Sequence, residues 1–595
     1  MPSYTAPLAD YRFILNDVLD LQSYGDLPGF ADATPDMVDA ILDGAARLAE
    51  DVLQPLNHSG DQEGCTRNAD GSVTTPKGFK EAYRQFTDGG WGALTSDPDY
   101  GGQGLPNVLG SCFSEMVSAA NMAFVMYPGL SHGAYSAIHV HGSQAQRDTY
   151  LPNIVSGAWT GTMNLTEPHC GTDLGLMRTR AEPQADGSYR ISGTKIFISA
   201  GEHDLAENII HLVLAKIAGP DTPAGIKGVS LFIVPKYLVN ADGTLGARNG
   251  VSCGSLEHKM GIHANATCVL NYDGATGYLI GEAHKGMRAM FTMMNEARLG
   301  VAVQGLSQSV AAYQNAVAYA KDRLQGRSLT GPKFPDKPAD PIIVHPDIRR
   351  VLMNIKAFNE GARAFMLWTS LHGDLAHKAK DETAREASED LMGLLTPVLK
   401  GYLTDKGFAN AVDAQQVYGG HGYIAEWGAE QFVRDARIAM IYEGANGIQA
   451  LDLVGRKLAA NGGRAVFAWF RILDDFIAAN QDDAALAPFV AGLRSVRGQL
   501  EDGTTWLMNN SLSNFDNAGA ASMDYLYLFG LCGLAYAWAL MAKAAAPKAA
   551  SDEFCAAKLV TGRYFVERVL PDAAAHLAKL KTGAGPVMAL AAEAF

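Results

Sequence analysis

Four short segments contain residue types that could bind a charged ligand or transfer a proton. They are residues 164–173 (NLTEPHCGTD), 195–201 (KIFISAG), 416–423 (QVYGGHGY) and 434–444 (RDARIAMIYEG). Gly171 and Thr172 suit a loop that approaches phosphate closely, because glycine adds no side chain there and the hydroxyl can donate a hydrogen bond. Glu443 is followed by Gly444, so a carboxylate that could act as an acid or a base stands beside a small residue.

The elements that must position these segments change in type along the chain. The first part has helical periodicity, the next is rich in β-branched and aromatic residues, and the remainder is helical again. The last stretch is also rich in alanine. A chain of 595 residues is too long for one compact core. We therefore predict four domains, at residues 1–160, 161–285, 286–460 and 461–595.

Local signals place the ends of several elements. The Thr-Pro-Asp sequence at 34–36 and the His-Pro-Asp sequence at 345–347 should each begin a helix, because proline is tolerated in the first helical turn. Ala-Asp-Gly at 185–187 is typical of a hairpin turn. Pro152 is expected to end the helix that contains the preceding residues.

The order of elements predicts an α+β fold. Helices precede and follow the strands instead of alternating with them, which excludes a doubly wound parallel sheet. The glycine clusters at 101–104 and 419–422 do not follow a strand and open a helix, so the dinucleotide-binding fingerprint is absent. A dinucleotide cofactor would have to be held in another way.

Composition restricts the partners and the compartment. The net charge of −15 disfavours nucleic acid as a partner. The seven cysteines have irregular spacing, which predicts a reducing compartment and no disulfide framework. We see no secretory signal and expect a cytoplasmic protein. The uncharged run at 525–542 is short for a membrane span and contains two glycines and three tyrosines, so we expect a buried helix.

In order and spacing, the four segments closely resemble the acyl-CoA dehydrogenase family. The resemblance covers about residues 80–460. It implies an N-terminal helical domain, a central β-domain and a helical bundle, with FAD between the last two. The N-terminal segment, the helix start at 345–347 and the C-terminal region further resemble the long subfamily of 3-methylmercaptopropionyl-CoA dehydrogenases, which implies an extra C-terminal helical domain.

The resemblance also implies which residues bind FAD. Leu165 and Thr166 would meet the pyrimidine edge of the flavin, Phe197 would lie beside the ring, and Ser199 would lie near N5. Gly171 and Thr172 would approach phosphate. The remaining predicted FAD contacts are Arg323, Gln325, Gln416, Gly419 and Gly420.

Arg323 matches the arginine that contacts the FAD pyrophosphate of a neighbouring subunit, and its fork of donors suits that anion. Gln325-Gly326 stands where the family usually has phenylalanine-glycine, so part of that contact departs from the family pattern. Gln416, Gly419 and Gly420 match the second FAD segment of the family.

Glu443 matches the catalytic base of most family members. Some relatives carry the base just before the arginine that matches Arg298, but that position is Ala297 here. Glu296 is one residue out of register, about 100° around a helix. Ala445 replaces the common threonine, which removes one expected contact with the flavin cofactor.

The resemblance implies substrate contacts from Thr172, Asn295, Arg298 and Gly444. It implies α,β-dehydrogenation of an acyl-CoA: Glu443 removes the α-proton, the β-hydrogen leaves as hydride to flavin N5, and trans-2-enoyl-CoA forms. The Glu443 N–H would polarise the thioester carbonyl. The subfamily implies a homodimer and a short acyl group, with 3-methylmercaptopropionyl-CoA first and butyryl-CoA next, and hence a role in dimethylsulfoniopropionate catabolism. The family resemblance implies that an electron-transfer flavoprotein reoxidises the flavin.

Two alternatives remain open. An acyl-CoA oxidase would share the fold and release peroxide. A DNA-associated flavoprotein of the alkylation-response type should have a basic C-terminal domain, yet residues 461–595 contain 11 Lys and Arg against 13 Asp and Glu. No histidine pair shows a metal-ligand pattern, so no metal site is expected.

Overall fold

The protein forms two compact units, each assembled from separate stretches of the chain. The structure is a computed structural model that describes residues 2–595. The sheet unit comprises Arg47–Leu105 and Ala120–Gly300. The helical unit comprises the chain up to Ala46 together with Pro106–Ala119 and Val301–Phe595. The division into four consecutive domains stays a prediction.

Helices account for most of the secondary structure. Their bounds are α1 Leu8–Arg12, α2 Pro35–Arg47, α3 Pro55–Glu63, α4 Phe79–Asp88, α5 Asn107–Ala120, α6 Met122–His141, α7 Gln144–Val155, α8 Gly286–Asp322, α9 Pro346–Lys378, α10 Glu382–Val417, α11 Ala429–Arg437, α12 Asn446–Asp452, α13 Arg464–Asn480, α14 Ala487–Asn510, α15 Phe515–Ala545, α16 Glu553–Tyr564, α17 Asp572–Leu580 and α18 Ala584–Met588. The order of helices, strands and further helices agrees with the predicted α+β class. Proline occupies the first turn of α9, as predicted.

Strands lie in the sheet unit. Their bounds are β1 Thr66–Arg67, β2 Val73–Thr74, β3 Trp159–Asn164, β4 Arg180–Pro183, β5 Tyr189–Ser199, β6 Asn208–Ile217, β7 Val229–Pro235, β8 Tyr237–Val239, β9 Leu245–Arg248, β10 Val251–Leu256 and β11 Thr267–Ile280. The central sheet has the order β10-β11-β5-β4-β6-β3, and β7 pairs with both β11 and β6. β3 runs parallel to β6, so the carboxyl ends of the two strands point in the same direction.

The hairpin between β4 and β5 confirms the predicted turn. The Gln184 N–H donates to the Ser188 carbonyl at 2.9 Å, and the Gly187 N–H donates to the Gln184 carbonyl at 3.1 Å. Gly187 has φ of 84°, a conformation that glycine adopts without strain. This turn sets the register of β5 against β4 and so fixes the position of residues 195–199, the last residues of β5.

The predicted end of a helix at Pro152 is wrong. α7 continues to Val155, with Pro152 inside it. Proline removes one helical hydrogen bond, but Ile154 and Val155 are buried, and burial of two such side chains is worth roughly 3–6 kcal/mol. The apolar gain of the last turn therefore outweighs the proline defect.

Helices in the helical unit approach one another closely. A Cβ on Gly407 of α10 would lie 2.1 Å from the Gly305 carbonyl oxygen, and a Cβ on Gly530 of α15 would lie 2.3 Å from Tyr402 Cγ. Such distances exclude any side chain larger than hydrogen. α10 is thereby packed directly against both α15 and the middle of α8.

α15 is the one described helix long and apolar enough to cross a membrane. In its most apolar 18-residue window, 89% is buried inside the protein. This burial agrees with the predicted core helix at 525–542. The tyrosines expected to need polar partners include Tyr525, which shares a 2.8 Å hydrogen bond with Thr504, and Tyr527, which donates to Asp405 at 2.7 Å.

Candidate active site

The structure brings the first two predicted flavin segments together in the sheet unit. Leu165 and Thr166 follow β3, and the Thr166 carbonyl accepts from the Ile196 N–H of β5 at 2.9 Å. Phe197 and Ser199 therefore lie on the strand that pairs with this segment. Gly171 and Thr172 are exposed in the loop that precedes Leu174.

Phe197 presents an aromatic ring to the surface from an unfavourable backbone conformation. Its φ is 59°, and 58% of the residue is exposed. A bulky residue at positive φ costs about 1–3 kcal/mol and is held only where its surroundings dictate it. An exposed ring in such a position fits an apolar group that lies on it when a ligand is bound.

A buried ion pair supports these segments from beneath. Lys195 Nζ donates to the Leu165 carbonyl at 3.0 Å and to Glu167 Oε1 at 2.9 Å. The same carboxylate accepts from the Arg178 N–H at 2.8 Å and the Thr179 N–H at 3.0 Å. Burial raises the pKa of Glu167, but Lys195 and the hydrogen bonds outweigh burial and hold this pKa below its ordinary value. Both residues stand in the quoted motifs, where sequence reasoning gave them no role.

Two of the predicted substrate residues, Asn295 and Arg298, lie in the first half of α8. Asn295 is exposed and Arg298 is buried. Glu296 points toward α6, where His132 Nε2 lies 3.9 Å from its Oε2. Burial raises the pKa of Glu296. The Glu296 carboxylate therefore faces α6.

Glu443 and Gly444 occupy a tight loop between α11 and α12 in the helical unit. Their φ values are 56° and 90°. Glycine tolerates this region, but for glutamate it is strained and must be imposed by contacts. Gln449 Nε2 supplies two of them, donating to the carbonyls of Glu443 at 3.2 Å and of Gly444 at 3.0 Å.

A buried polar network beneath this loop was missed by sequence reasoning. Lys400 Nζ, fully buried on α10, donates to the Gly444 carbonyl and to Asn446 Oδ1, both at 2.8 Å. Asn446 Nδ2 donates in turn to Asp405 Oδ1 at 2.6 Å. A lysine amid the apolar LTPVLKGYL sequence of α10 was the available signal, because a buried charge requires partners.

The other predicted FAD residues are also in the helical unit. Gln416 is exposed near the end of α10, and the exposed glycines 419 and 420 follow it. Gly419 has φ of 58°, and no atom lies within 4 Å of a Cβ placed on it or on Gly420. The backbone there is therefore open to a ligand.

Arg323 and Gln325, both exposed, follow α8. Near the end of α8, the Tyr319 hydroxyl lies 2.9 Å from His421 Nδ1, which joins this region to the turn that contains Gly419. The Gln325 carbonyl accepts from His345 Nε2 at 2.9 Å. The backbone of Gln325 is therefore occupied within the loop, while its side chain remains exposed.

One described group has possible metal ligands close together. Ligand atoms of Glu167, His169 and Cys170 lie within 4.8 Å of one another. Because the Glu167 carboxylate already pairs with Lys195, this group is accounted for as an ion pair. Elsewhere in the sheet unit, His139 lies 3.0 Å from the Asp97 carboxylate and His141 lies 2.8 Å from the Thr292 hydroxyl.

Family models match almost the whole chain. They are described as the N-terminal, middle and C-terminal domains of acyl-CoA dehydrogenase, at residues 36–158, 162–275 and 284–458, and as an acetyl-CoA dehydrogenase C-terminal-like region at 469–591. A 3-methylmercaptopropionyl-CoA dehydrogenase of Ruegeria pomeroyi is 41% identical over 97% of this chain and 98% of its own length. The chain belongs to the acyl-CoA dehydrogenase family. This membership confirms the predicted fold class, enzyme class and FAD cofactor.

Two further comparisons place this acyl-CoA dehydrogenase among its relatives. A butyryl-CoA dehydrogenase of Syntrophomonas wolfei is 35% identical over 100% of this chain and 99% of its own. The solved structure of an acyl-CoA dehydrogenase from Bacillus anthracis, complexed with FAD, is 22% identical. The match covers 92% of this chain and 88% of the solved chain, with a TM-score of 0.74. The structural match supports the fold.

The residues of this acyl-CoA dehydrogenase fit FAD chemically. The sheet unit offers the exposed ring of Phe197 and the hydroxyls of Thr166, Thr172 and Ser199. The helical unit offers the open backbone at Gly419 and the exposed guanidinium of Arg323. A flavin requires an apolar contact for its ring and donors for its polar edge, and a pyrophosphate requires donors and cations.

Proposed function

We propose that this enzyme dehydrogenates a short acyl-CoA at the α,β-position, with 3-methylmercaptopropionyl-CoA as the leading substrate and butyryl-CoA close behind. Similarity to the 3-methylmercaptopropionyl-CoA dehydrogenase of Ruegeria pomeroyi and to the butyryl-CoA dehydrogenase of Syntrophomonas wolfei supports the short acyl group. The thioether sulfur occupies about the space of a methylene, so one apolar pocket can accept both substrates. A place in dimethylsulfoniopropionate catabolism follows from the leading substrate.

In this proposal Glu443 removes the α-proton. Its N–H polarises the thioester carbonyl and stabilises the negative charge that develops there. Thr172, Asn295, Arg298 and Gly444 contact the substrate. Bound FAD supplies the hydride acceptor, with Leu165, Thr166, Gly171, Phe197, Ser199, Arg323, Gln325, Gln416, Gly419 and Gly420 as its contacts. The observation that carries the base assignment is the strained backbone of Glu443, fixed by Lys400 and Gln449 through the adjacent carbonyls.

Steady-state kinetics across acyl-CoAs from C4 to C16, together with 3-methylmercaptopropionyl-CoA, tests the substrate. We expect kcat/KM to be highest for the two short substrates and to differ between them by no more than about 10–200-fold, the range that one methylene provides. Palmitoyl-CoA as a better substrate than butyryl-CoA would contradict a short pocket. Stoichiometric peroxide release during turnover would favour the oxidase alternative over an electron-transfer flavoprotein as acceptor.

The same proposal includes a cytoplasmic homodimer. The exposed Arg323 at the end of α8 supports it, since this side chain is available to the FAD of a second subunit. Light scattering of the purified FAD-loaded protein is expected to give twice the chain mass, and Arg323→Ala should weaken FAD retention. A monomer that retains FAD, or a tetramer, would contradict the dimer.

A further inference from the structure

A chain of hydrogen bonds leads from helix α15, in the C-terminal region, to the loop that carries Glu443. The Tyr527 hydroxyl donates to Asp405 Oδ2 at 2.7 Å, and Asp405 Oδ1 accepts from Asn446 Nδ2 at 2.6 Å. Asn446 Oδ1 accepts from Lys400 Nζ, which also donates to the Gly444 carbonyl. All these groups belong to the helical unit.

The charges in this chain are arranged to reinforce one another. Lys400 and Asp405 are buried, and the Asn446 amide bridges them with its oxygen toward the cation and its N–H toward the anion. In a medium of low polarity, hydrogen bonds in such a series polarise each other. Burial, followed by the nearby Asp405 carboxylate, raises the pKa of Tyr527, so its hydroxyl remains protonated and able to donate.

Tyr527 itself is held firmly. Its ring stacks on His576 at a centroid distance of 5.0 Å, and Lys406 Nζ lies 5.7 Å from the ring centre. The neighbouring Leu526 packs so closely on α10 that a Cβ on Gly401 would lie 2.7 Å from its Cδ1. The hydroxyl therefore has little freedom to leave Asp405.

We propose that Tyr527 is a positioning residue for the reaction: through Asp405, Asn446 and Lys400 it fixes the Gly444 carbonyl and so the direction of Glu443. The inference rests on the proposed role of Glu443 as base. It assigns a role to the C-terminal region. This region follows residues 36–458, which the N-terminal, middle and C-terminal domain models of the family match. A base displaced by a fraction of an ångström from its substrate loses rate while substrate binding persists.

Tyr527→Phe removes only the hydroxyl and tests this role in the full-length holoenzyme. We expect kcat with butyryl-CoA to fall about 10-fold, with KM and FAD content near wild-type values, because the loop loosens without losing a ligand contact. Hydrogen exchange of the amides at 441–446 should become faster. In the Glu443→Gln background, Tyr527→Phe should have no additional effect on residual turnover, as expected for residues that act through one another.

Tyr525→Phe is the matched control, because it removes a buried hydroxyl from the same helix whose partner is Thr504. We expect it to leave kcat and exchange at 441–446 unchanged. Wild-type kcat in Tyr527→Phe, or an equal loss in Tyr525→Phe, would overturn the positioning role. If Tyr527→Phe fails to fold, Asp405→Asn gives the same test with the same expected loss. An active Glu443→Gln would instead refute the base assignment itself.

Discussion

Glu443→Gln is expected to lower kcat by about 10²–10⁴-fold, the usual contribution of a positioned general base. Glutamine keeps nearly the shape of glutamate but cannot accept the α-proton. The backbone contacts that fix the loop, from Lys400 and Gln449 to the carbonyls of residues 443 and 444, do not involve the side chain. FAD content and acyl-CoA affinity should therefore remain near wild-type values.

Glu296→Gln is the informative comparison for that variant. Glu296 is the other carboxylate that stands close to the position of an alternative base, but it faces His132 on α6. We expect this variant to retain most of its turnover. If Glu296→Gln abolished turnover and Glu443→Gln did not, the two carboxylates would have been assigned the wrong roles.

Arg363→Met is expected to lower the free energy of unfolding by about 3–5 kcal/mol, the cost of breaking a buried ion pair from one side. Arg363 Nε lies 2.9 and 3.0 Å from the two oxygens of Glu115, and its Nη1 pairs with Asp10. All three residues are buried. Methionine fills similar space but leaves the Glu115 carboxylate without this cation. Denaturant unfolding of the holoenzyme measures the loss.

Lys380→Ala is a control for the loss of an ion pair at the surface. Lys380 pairs with Asp26 at 2.6 Å, yet both side chains are about two-thirds exposed, so we expect the free energy of unfolding to fall by no more than about 1 kcal/mol. An equal loss in the two variants would contradict the importance of burial.

The pH dependence of the Arg363→Met effect follows from Asp10. Burial raises the pKa of Asp10, but Lys558 and Arg363 outweigh burial and lower this pKa below its ordinary value of 3.8. The carboxylate therefore contributes stability at neutral pH, and the contribution is lost as pH falls through the folded-state pKa. The difference in the free energy of unfolding between wild type and variant should have its largest value near pH 7 and should decrease below about pH 4. A difference that grew on acidification would contradict this linkage.

Local chemistry explains which parts of the fold could be predicted from the sequence. The turn at 185–187 and the start of α9 at Pro346 depend on a few adjacent residues, and the change from helical to strand patterns marks the central sheet. The predicted helix end at Pro152 was wrong because the burial of Ile154 and Val155 depends on tertiary packing, which the local sequence does not show.

The site divides in the same way. The flavin segments and Glu443 are contiguous motifs, so their spacing could be recognised. The network beneath Glu443 joins residues far apart in the chain: Asp405 and Asn446 are separated by 41 residues, and Asp405 and Tyr527 by 122. No local pattern encodes such pairings. A buried lysine in an apolar helix indicates that partners exist but does not identify them.

Anaerobic mixing of the FAD-loaded enzyme with butyryl-CoA that carries deuterium at the α-carbon tests the central claim most directly, because it isolates one turnover from any electron acceptor. We predict that wild type loses its visible flavin absorbance in that turnover and that α-deuterium slows the loss. Glu443→Gln, at equal FAD content, should retain its absorbance over the same period. Loss of absorbance in the variant at the wild-type rate would contradict Glu443 as the base that begins the reaction.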